Sequence, residues 1–154
     1  AWGKTLANGY PLSAVAGSEA VRNAATRIYT TGSFWFSAVP MAAALATLEV
    51  AKRERVVEHI DAVGTQLRVG LDQQARAHGF SLRQTGPVQM PQVLFDDDEK
   101  LVRGNFFVAQ AAQRGVLLHP WHNMFLCLAH TEDDITRTLQ VTDQALSALR
   151  NSGL

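Results

Sequence analysis

The sequence predicts an α/β chain in two parts, divided near Gly79. Three observations carry this. A helical hydrophobic pattern runs from about Pro40 to Ala77 and stops at a glycine. After Gly79 short strand-like runs are segregated from helical ones, an α+β arrangement. Before Pro40, glycine, proline and asparagine punctuate short apolar pieces, as in loops that join strands to helices. Residues 1–79 are therefore expected to form one α/β part, and residues 80–154 a small α+β domain.

The elements follow in order. Asn8-Gly9-Tyr10-Pro11 is turn chemistry: Asn-Gly tolerates positive φ, and Tyr10 before proline is pushed extended. Leu12 to Ala16 reads as a short buried strand. Ser18 is placed to cap a helix with Glu19 in its first turn. Thr30 to Ser37 is a loop rich in hydroxyls and aromatics. Pro40 suits the first turn of the long helix. Met41 to Leu48 is apolar nearly all round and is expected to be buried. Further on, Val56, Val57, Ile60, Val63, Leu67, Leu71 and Ala75 recur at steps of three and four, one apolar face.

Beyond Gly79, Phe80–Arg83 and Val88–Phe95 read as strands, the second interrupted by Pro91. Asp96-Asp97-Asp98-Glu99 is an acidic turn. A helix from about Leu101 to Arg114 ends at Gly115, and Val116–Leu118 and Met124–Ala129 read as strands. Thr131, with Asp134 three residues later, has the form of a capping box opening a last helix, Glu132 to Leu149.

Composition bounds function only broadly. Of 154 residues 47% are apolar and 18% charged, which is globular rather than disordered. Fourteen basic and fourteen acidic side chains cancel, so no surplus charge points to nucleic acid or to a membrane surface. No apolar run reaches the roughly 18 residues of a membrane span. The single cysteine, Cys127, sits in Met124-Phe125-Leu126-Cys127-Leu128 and is expected to be a small buried apolar residue. With one cysteine no internal disulfide forms, and a cytoplasmic setting is the expectation. His119, His122 and His130 invite a metal reading. No cysteine or carboxylate completes a ligand set at usual spacing, so none is assigned. His130 is expected to be a structural hydrogen-bonding residue beside Thr131.

The chemistry-bearing segment is Gly3-Lys4-Thr5-Leu6-Ala7-Asn8-Gly9-Tyr10-Pro11-Leu12-Ser13-Ala14. A lysine that forms an imine must be fixed at one point, and flanking glycines let a planar group approach the backbone. Alone, a lysine beside a glycine is most often a solvated loop residue. The whole string resembles the Schiff-base segment of class III aminotransferases, which are fold-type I pyridoxal-phosphate enzymes, and especially their glutamate-1-semialdehyde aminomutase-like branch. Thr31-Gly32-Ser33-Phe34-Trp35 followed by Pro40 to Leu48 resembles that family's phosphate-contacting loop and long helix. Gly115 to Leu118 and Ala129 to Ile135 resemble its C-terminal signature.

The resemblance implies a function. Lys4 would hold pyridoxal 5′-phosphate as a Schiff base and move a proton during amino-group transfer on a small amino-acid, keto or aldehyde substrate. Ser33, or else Thr31, would reach the phosphate of a neighbouring subunit's cofactor in a homodimer; a simple turn or cap hydroxyl is the alternative for both. His122 and Asn123, on a loop between strands, are candidate substrate residues. Two departures stand out. Ala38-Val39 replaces the Gly-Asn usual before the proline, and no arginine lies near His119, where many relatives carry one. Aminotransferase and aminomutase share the lysine chemistry and are not separated. The family's phosphate turn, ring-stacking aromatic and ring-nitrogen acid all precede the lysine. The sequence, which opens at Ala1-Trp2-Gly3-Lys4, is therefore expected to be the C-terminal part of a longer enzyme, inactive alone. A non-catalytic remnant and an α/β interaction module remain the alternatives.

Overall fold

The computed structural model describes residues 2–154, which divide into two compact units, the first ending at Val56 and the second running from Val57 to Leu154. In the first unit, a 3-10 turn over Lys4–Ala7 is followed by a second over Glu19–Val21, a short α1 at Arg22–Ala25, and α2 at Ala38–Arg53. In place of the expected strand Leu12–Ala16 there is a single antiparallel bridge, Trp2 with Ala14. Ser18 does precede a helical turn, but its side chain makes no cap hydrogen bond.

The long helix expected from Pro40 to Ala77 is two helices. Arg55 adopts a left-handed backbone (φ 48°), which no α-helix accommodates, and it separates α2 from α3 at Val56–Ala77. The compact units divide there, while Gly79 (φ 83°) marks the end of α3. The burial expected for the first half of this pattern is confined to Pro40 and Ala44. Met41, Leu45 and Leu48 are exposed, as are Phe34, Trp35 and Phe36 in the preceding loop. Inside this unit α2 has one packing partner among the named elements, the Lys4–Ala7 turn.

The second unit has the larger core. Helix α3 buries Val63, Gly64, Leu67, Leu71 and Ala75 at helical spacing. Strands β1 (Leu82–Thr85) and β2 (Gln92–Phe95) pair antiparallel, Leu82 opposite Phe95 and Thr85 opposite Gln92. Pro91 has no N–H to give a ladder, so the expected longer strand begins only after it. The expected strands 116–118 and 124–129 form no ladder, and Leu128 and Ala129 belong to a turn that His130 N–H closes on Cys127 O (3.0 Å). Met124 and Leu126 do donate their N–H groups to Pro91 O (2.8 Å) and Gln89 O (3.0 Å), an antiparallel pairing two residues long.

Helices α4 (Val102–Ala112) and α5 (Glu132–Ser152) pack against each other and complete the core. Phe80, Phe95 and Phe107 meet edge to face at 5.6 and 5.7 Å. Buried Thr142 donates to Gln74 Oε1 (2.8 Å), and Gln74 Nε2 donates to Leu139 O (2.7 Å), so this polar crossing between α3 and α5 is satisfied. The void among α3, α4 and α5 is about 20 Å³, room for one water and no ligand. No helix among the described residues is long and apolar enough to cross a membrane.

Two caps explain where α4 and α5 start. Asp98, in the acidic turn, is buried and accepts from Val102 N–H and Gly104 N–H, both at 2.7 Å. Thr131 and Asp134 form the expected capping box: Asp134 N–H donates to Thr131 Oγ1 (3.2 Å) and Thr131 N–H donates to Asp134 Oδ2 (2.8 Å). That backbone bond, then the Thr131 hydroxyl, hold the Asp134 carboxyl below its ordinary value of 3.8. A carboxyl depressed in the folded state stabilises it above the unfolded value and loses that contribution as pH falls through the folded value. A carboxyl-detected NMR titration should give Asp134 a midpoint below 3.8, with protection of the first turn of α5 lost over the same range. A midpoint at or above 3.8 would contradict the box as the cause.

Candidate active-site lysine and associated loops

Lys4 lies in a loop that its own backbone closes. Trp2 N–H donates to Ala14 O (2.7 Å) and Ala14 N–H to Trp2 O (2.8 Å), which clamps the loop at its base. Inside it, Tyr10 N–H donates to Ala7 O (3.1 Å), with Asn8 (φ 46°) and Gly9 (φ 103°) between them. Both central residues are left-handed, the geometry that Asn-Gly favours. Ala7 is fully buried, and its turn is the one packed on α2.

Lys4 itself is left-handed at φ 52°. For a non-glycine residue this costs roughly 1–2 kcal/mol. Gly3 before it is extended, and a Cβ on Gly3 would sit 3.8 Å from Ser13 Cβ. The strained lysine is exposed, and its ammonium makes no hydrogen bond or ion pair among the described residues. A strained backbone on a clamped loop, presenting an uncommitted amine, is an arrangement suited to covalent attachment. The left-handed backbone at Lys4 has no sequence signature, since lysine gives no hint of positive φ.

Thr31 and Ser33 are both exposed, in a loop where Trp35 N–H donates to Gly32 O (3.1 Å) and Ser37 N–H to Phe34 O (3.1 Å). Neither hydroxyl caps α2, whose N-cap Ser37 also makes no side-chain cap bond. No hydrogen bond joins this loop to the Lys4 turn among the described residues.

His122 and Asn123 belong to the second unit. His122 Nδ1 donates to Asn123 O (2.7 Å). His119 Nδ1 accepts from His122 N–H (2.9 Å) and Trp121 N–H (3.3 Å). The rings of His119, Trp121 and His122 make edge contacts at 4.9, 5.6 and 5.5 Å. Cys127 is exposed rather than buried: burial alternates along the segment, and Leu126 and Leu128 take the inner side. Its Sγ lies 3.3 Å from His130 Nδ1, which also accepts Cys127 N–H (3.0 Å), while His59 Nε2 donates to His130 O (2.8 Å). His130 is thus a hydrogen-bonding hub ahead of the Thr131 cap. Among the described residues no three His, Cys, Asp or Glu side chains stand together as metal ligands.

The chain is similar to known proteins along nearly its whole length. Residues 1–146 match the family model for class III aminotransferases. The chain is 53% identical over 148 residues to an aminopentol aminotransferase of Sphingopyxis macrogoltabida, covering 96% of this chain and 35% of the relative. It is 29% identical to a glutamate-1-semialdehyde 2,1-aminomutase of Natranaerobius thermophilus, covering 94% and 37%. Among solved structures it superposes with a TM-score of 0.91 on the PLP internal aldimine form of the FumI protein of Sphingopyxis sp. MTA144, at 52% identity over 98% of this chain and 36% of that one. An omega-transaminase of Sphaerobacter thermophilus shares the fold at 21% identity, with a TM-score of 0.78. The chain thus spans about a third of the length of the curated relatives it matches. By the match over nearly all its length, the chain belongs to the class III aminotransferase family.

Proposed function

We propose that this chain is the lysine-bearing part of a pyridoxal-phosphate-dependent aminotransferase, with Lys4 as the covalent anchor. The observation that carries the reading is the Lys4 loop: an exposed, uncommitted amine on a left-handed backbone, held by the Trp2–Ala14 clamp. The cofactor, pyridoxal 5′-phosphate, supplies an electron sink for bond breaking beside nitrogen. Lys4 Nζ would hold it covalently, and as a free amine would move a proton to and from the substrate's α-carbon. Ser33 is our choice for a phosphate contact, with Thr31 second. His122 and Asn123 are our choice for substrate contacts.

The strong similarity to an aminopentol aminotransferase favours amino transfer over the aminomutase reaction, with a hydroxyl-bearing amine as substrate. We place the end of the cofactor-binding domain in residues 1–79 and a C-terminal domain in 80–154. The exposed apolar rings of Phe34, Trp35 and Phe36 suit a homodimer interface, since aromatics are enriched in interface cores. We place the enzyme in the cytoplasm.

The chain has three lysines, Lys4, Lys52 and Lys100, which makes the test direct. Treatment of the full-length enzyme that carries this chain with pyridoxal phosphate and then borohydride, followed by peptide mapping, should give one stable adduct among these three lysines, on Lys4. It should vanish in Lys4→Ala and persist in Lys52→Ala. An adduct on Lys52 or Lys100 instead, or none at saturating cofactor, would overturn the reading.

A further inference from the structure

The loop His119–Asn123 is more ordered by hydrogen bonds than an exposed connection requires. His119 Nδ1 accepts two backbone N–H groups, so it carries no hydrogen, and the ring proton sits on Nε2. His122 Nδ1 faces Asn123 O, which only accepts, so Nδ1 carries the hydrogen and Nε2 keeps its lone pair. Two neighbouring imidazoles therefore have opposite tautomers. His119 offers a donor at Nε2 and His122 offers an acceptor at Nε2, and both rings are exposed. Trp121, 53% exposed, touches both rings edge-on.

The loop is fixed from outside as well. Gln92 Nε2 donates to Trp121 O (2.5 Å), which ties it to β2. Helix α4 lies against Pro120: a Cβ on Gly104 would make ordinary van der Waals contact with Pro120 O at 3.4 Å and Pro120 Cβ at 3.6 Å. Among the described residues the side-chain hydrogen bonds of the loop involve only Gln92, His119 and His122 and backbone groups. The three rings thus present one donor, one acceptor and an aromatic surface, on a backbone that does not have to be ordered on binding.

We propose that His119, Trp121 and His122 form a recognition surface for a neutral, polyhydroxylated carbon chain, with His119 also positioning the other two. A hydroxyl both donates and accepts, so vicinal hydroxyls match a donor–acceptor pair, and the C–H faces of such a chain pack on an indole. A carboxylate would find no cation here, and a plain alkyl chain would leave the two imidazole nitrogens unmatched. The proposal rests on the reading of the chain as an amine-handling enzyme only in identifying the carrier of that chain as a hydroxylated amine. The surface lies wholly within the second unit.

The test uses the full 154-residue chain, isotopically labelled, and three six-carbon probes: 1-amino-1-deoxysorbitol, hexylamine and 6-aminohexanoate. NMR titration should show saturable shifts of the Trp121 indole N–H and of the His119 and His122 rings with the amino-polyol alone. His119→Ala should weaken that binding by about tenfold, while His119→Asn, whose side-chain oxygen accepts the same two N–H groups, should stay within about threefold. Unchanged amide protection at Leu146 shows that the variants remain folded. Equal response to hexylamine would mean a plain apolar patch, and preference for 6-aminohexanoate an anion site; either overturns the proposal. So does equal binding by His119→Ala. Borohydride labelling of the full-length enzyme that carries this chain, beside the loop titration, separates the two readings. A Lys4 adduct with a silent loop sinks this inference and leaves the enzyme. A responsive loop without an adduct sinks the enzyme and leaves the surface.

Discussion

Replacing Gly64 by alanine is expected to destabilise the second unit by about 2 kcal/mol and to open the short pairing between residues 89–91 and 124–126. The methyl group would stand 2.5 Å from Val88 O and 2.9 Å from Val88 C, with Leu126 Cδ1 at 3.1 Å. Backbone atoms cannot rotate away as a side chain can, so the Gly86–Pro91 loop must move. That loop is not free to do so. Gln89 Nε2 donates to Asp61 Oδ1 (2.8 Å), and Gln89 O and Pro91 O accept Leu126 N–H and Met124 N–H. Alanine gains about 1 kcal/mol over glycine inside a helix, so the overpacking must exceed that gain for the net loss to appear. Gly70 is the internal control. Its added methyl would meet Leu139 Cδ1 and Cδ2 at 2.5 and 2.6 Å, the ends of a side chain that can turn. Gly70→Ala should therefore stay within about 1 kcal/mol of the parent. Urea midpoints give the energies, and exchange of the Met124 and Leu126 amides reports the pairing. Equal midpoints for the two variants would show that the loop yields freely.

The same glycine shows what a sequence conceals. Nothing around Gly64 in Val63-Gly64-Thr65 announces a backbone passing at van der Waals distance, because the neighbour, Val88, lies on a separate loop beyond the end of α3. Signals with local causes were legible. The capping box at Thr131 and Asp134 needs only its own four residues, and it fixes the start of α5. Gly79 and Gly115 both take the positive φ that stops a helix. The Asn8-Gly9 turn follows from two residues that tolerate left-handed backbone. The break at Arg55 was hidden, since charged helix formers surround a left-handed residue that composition does not mark. Asp98 was legible as a turn and not as a cap, because its bonds depend on the chain folding back at Leu101 (φ 55°). For the candidate site, the identity of Lys4 stood in the motif around it, whereas its backbone strain did not. The tautomers of His119 and His122 depend on hydrogen bonds that no residue pattern encodes.

Leu146→Ala should cost about 2–5 kcal/mol, a larger loss than the one expected at Gly64. Leu146 is fully buried on α5, inside a cluster that draws Leu67 and Leu71 from α3, Val93 and Phe95 from β2, and Phe107 from α4. Those neighbours are held by their own elements and cannot all collapse into the space of the lost carbons, so a cavity cost adds to the lost transfer energy. A loss of that size is a large part of the roughly 5–15 kcal/mol that holds an ordinary domain together. The urea midpoint should fall with little change in slope, because the area exposed on unfolding hardly changes. Leu45→Ala provides the contrast. It removes the same atoms from an apolar helix, α2, but from a position 66% exposed, and should change stability by no more than about 0.5 kcal/mol. Resonances of Phe95 and Phe107 report the second unit and those of Trp35 and Phe36 the first, so unfolding of either unit is read by itself. If Leu45→Ala cost as much as Leu146→Ala, the face of α2 that carries Met41, Leu45 and Leu48 would have to be covered in solution. The sequence pattern, apolar on all sides, would then describe this helix better than its exposure in the folded chain does.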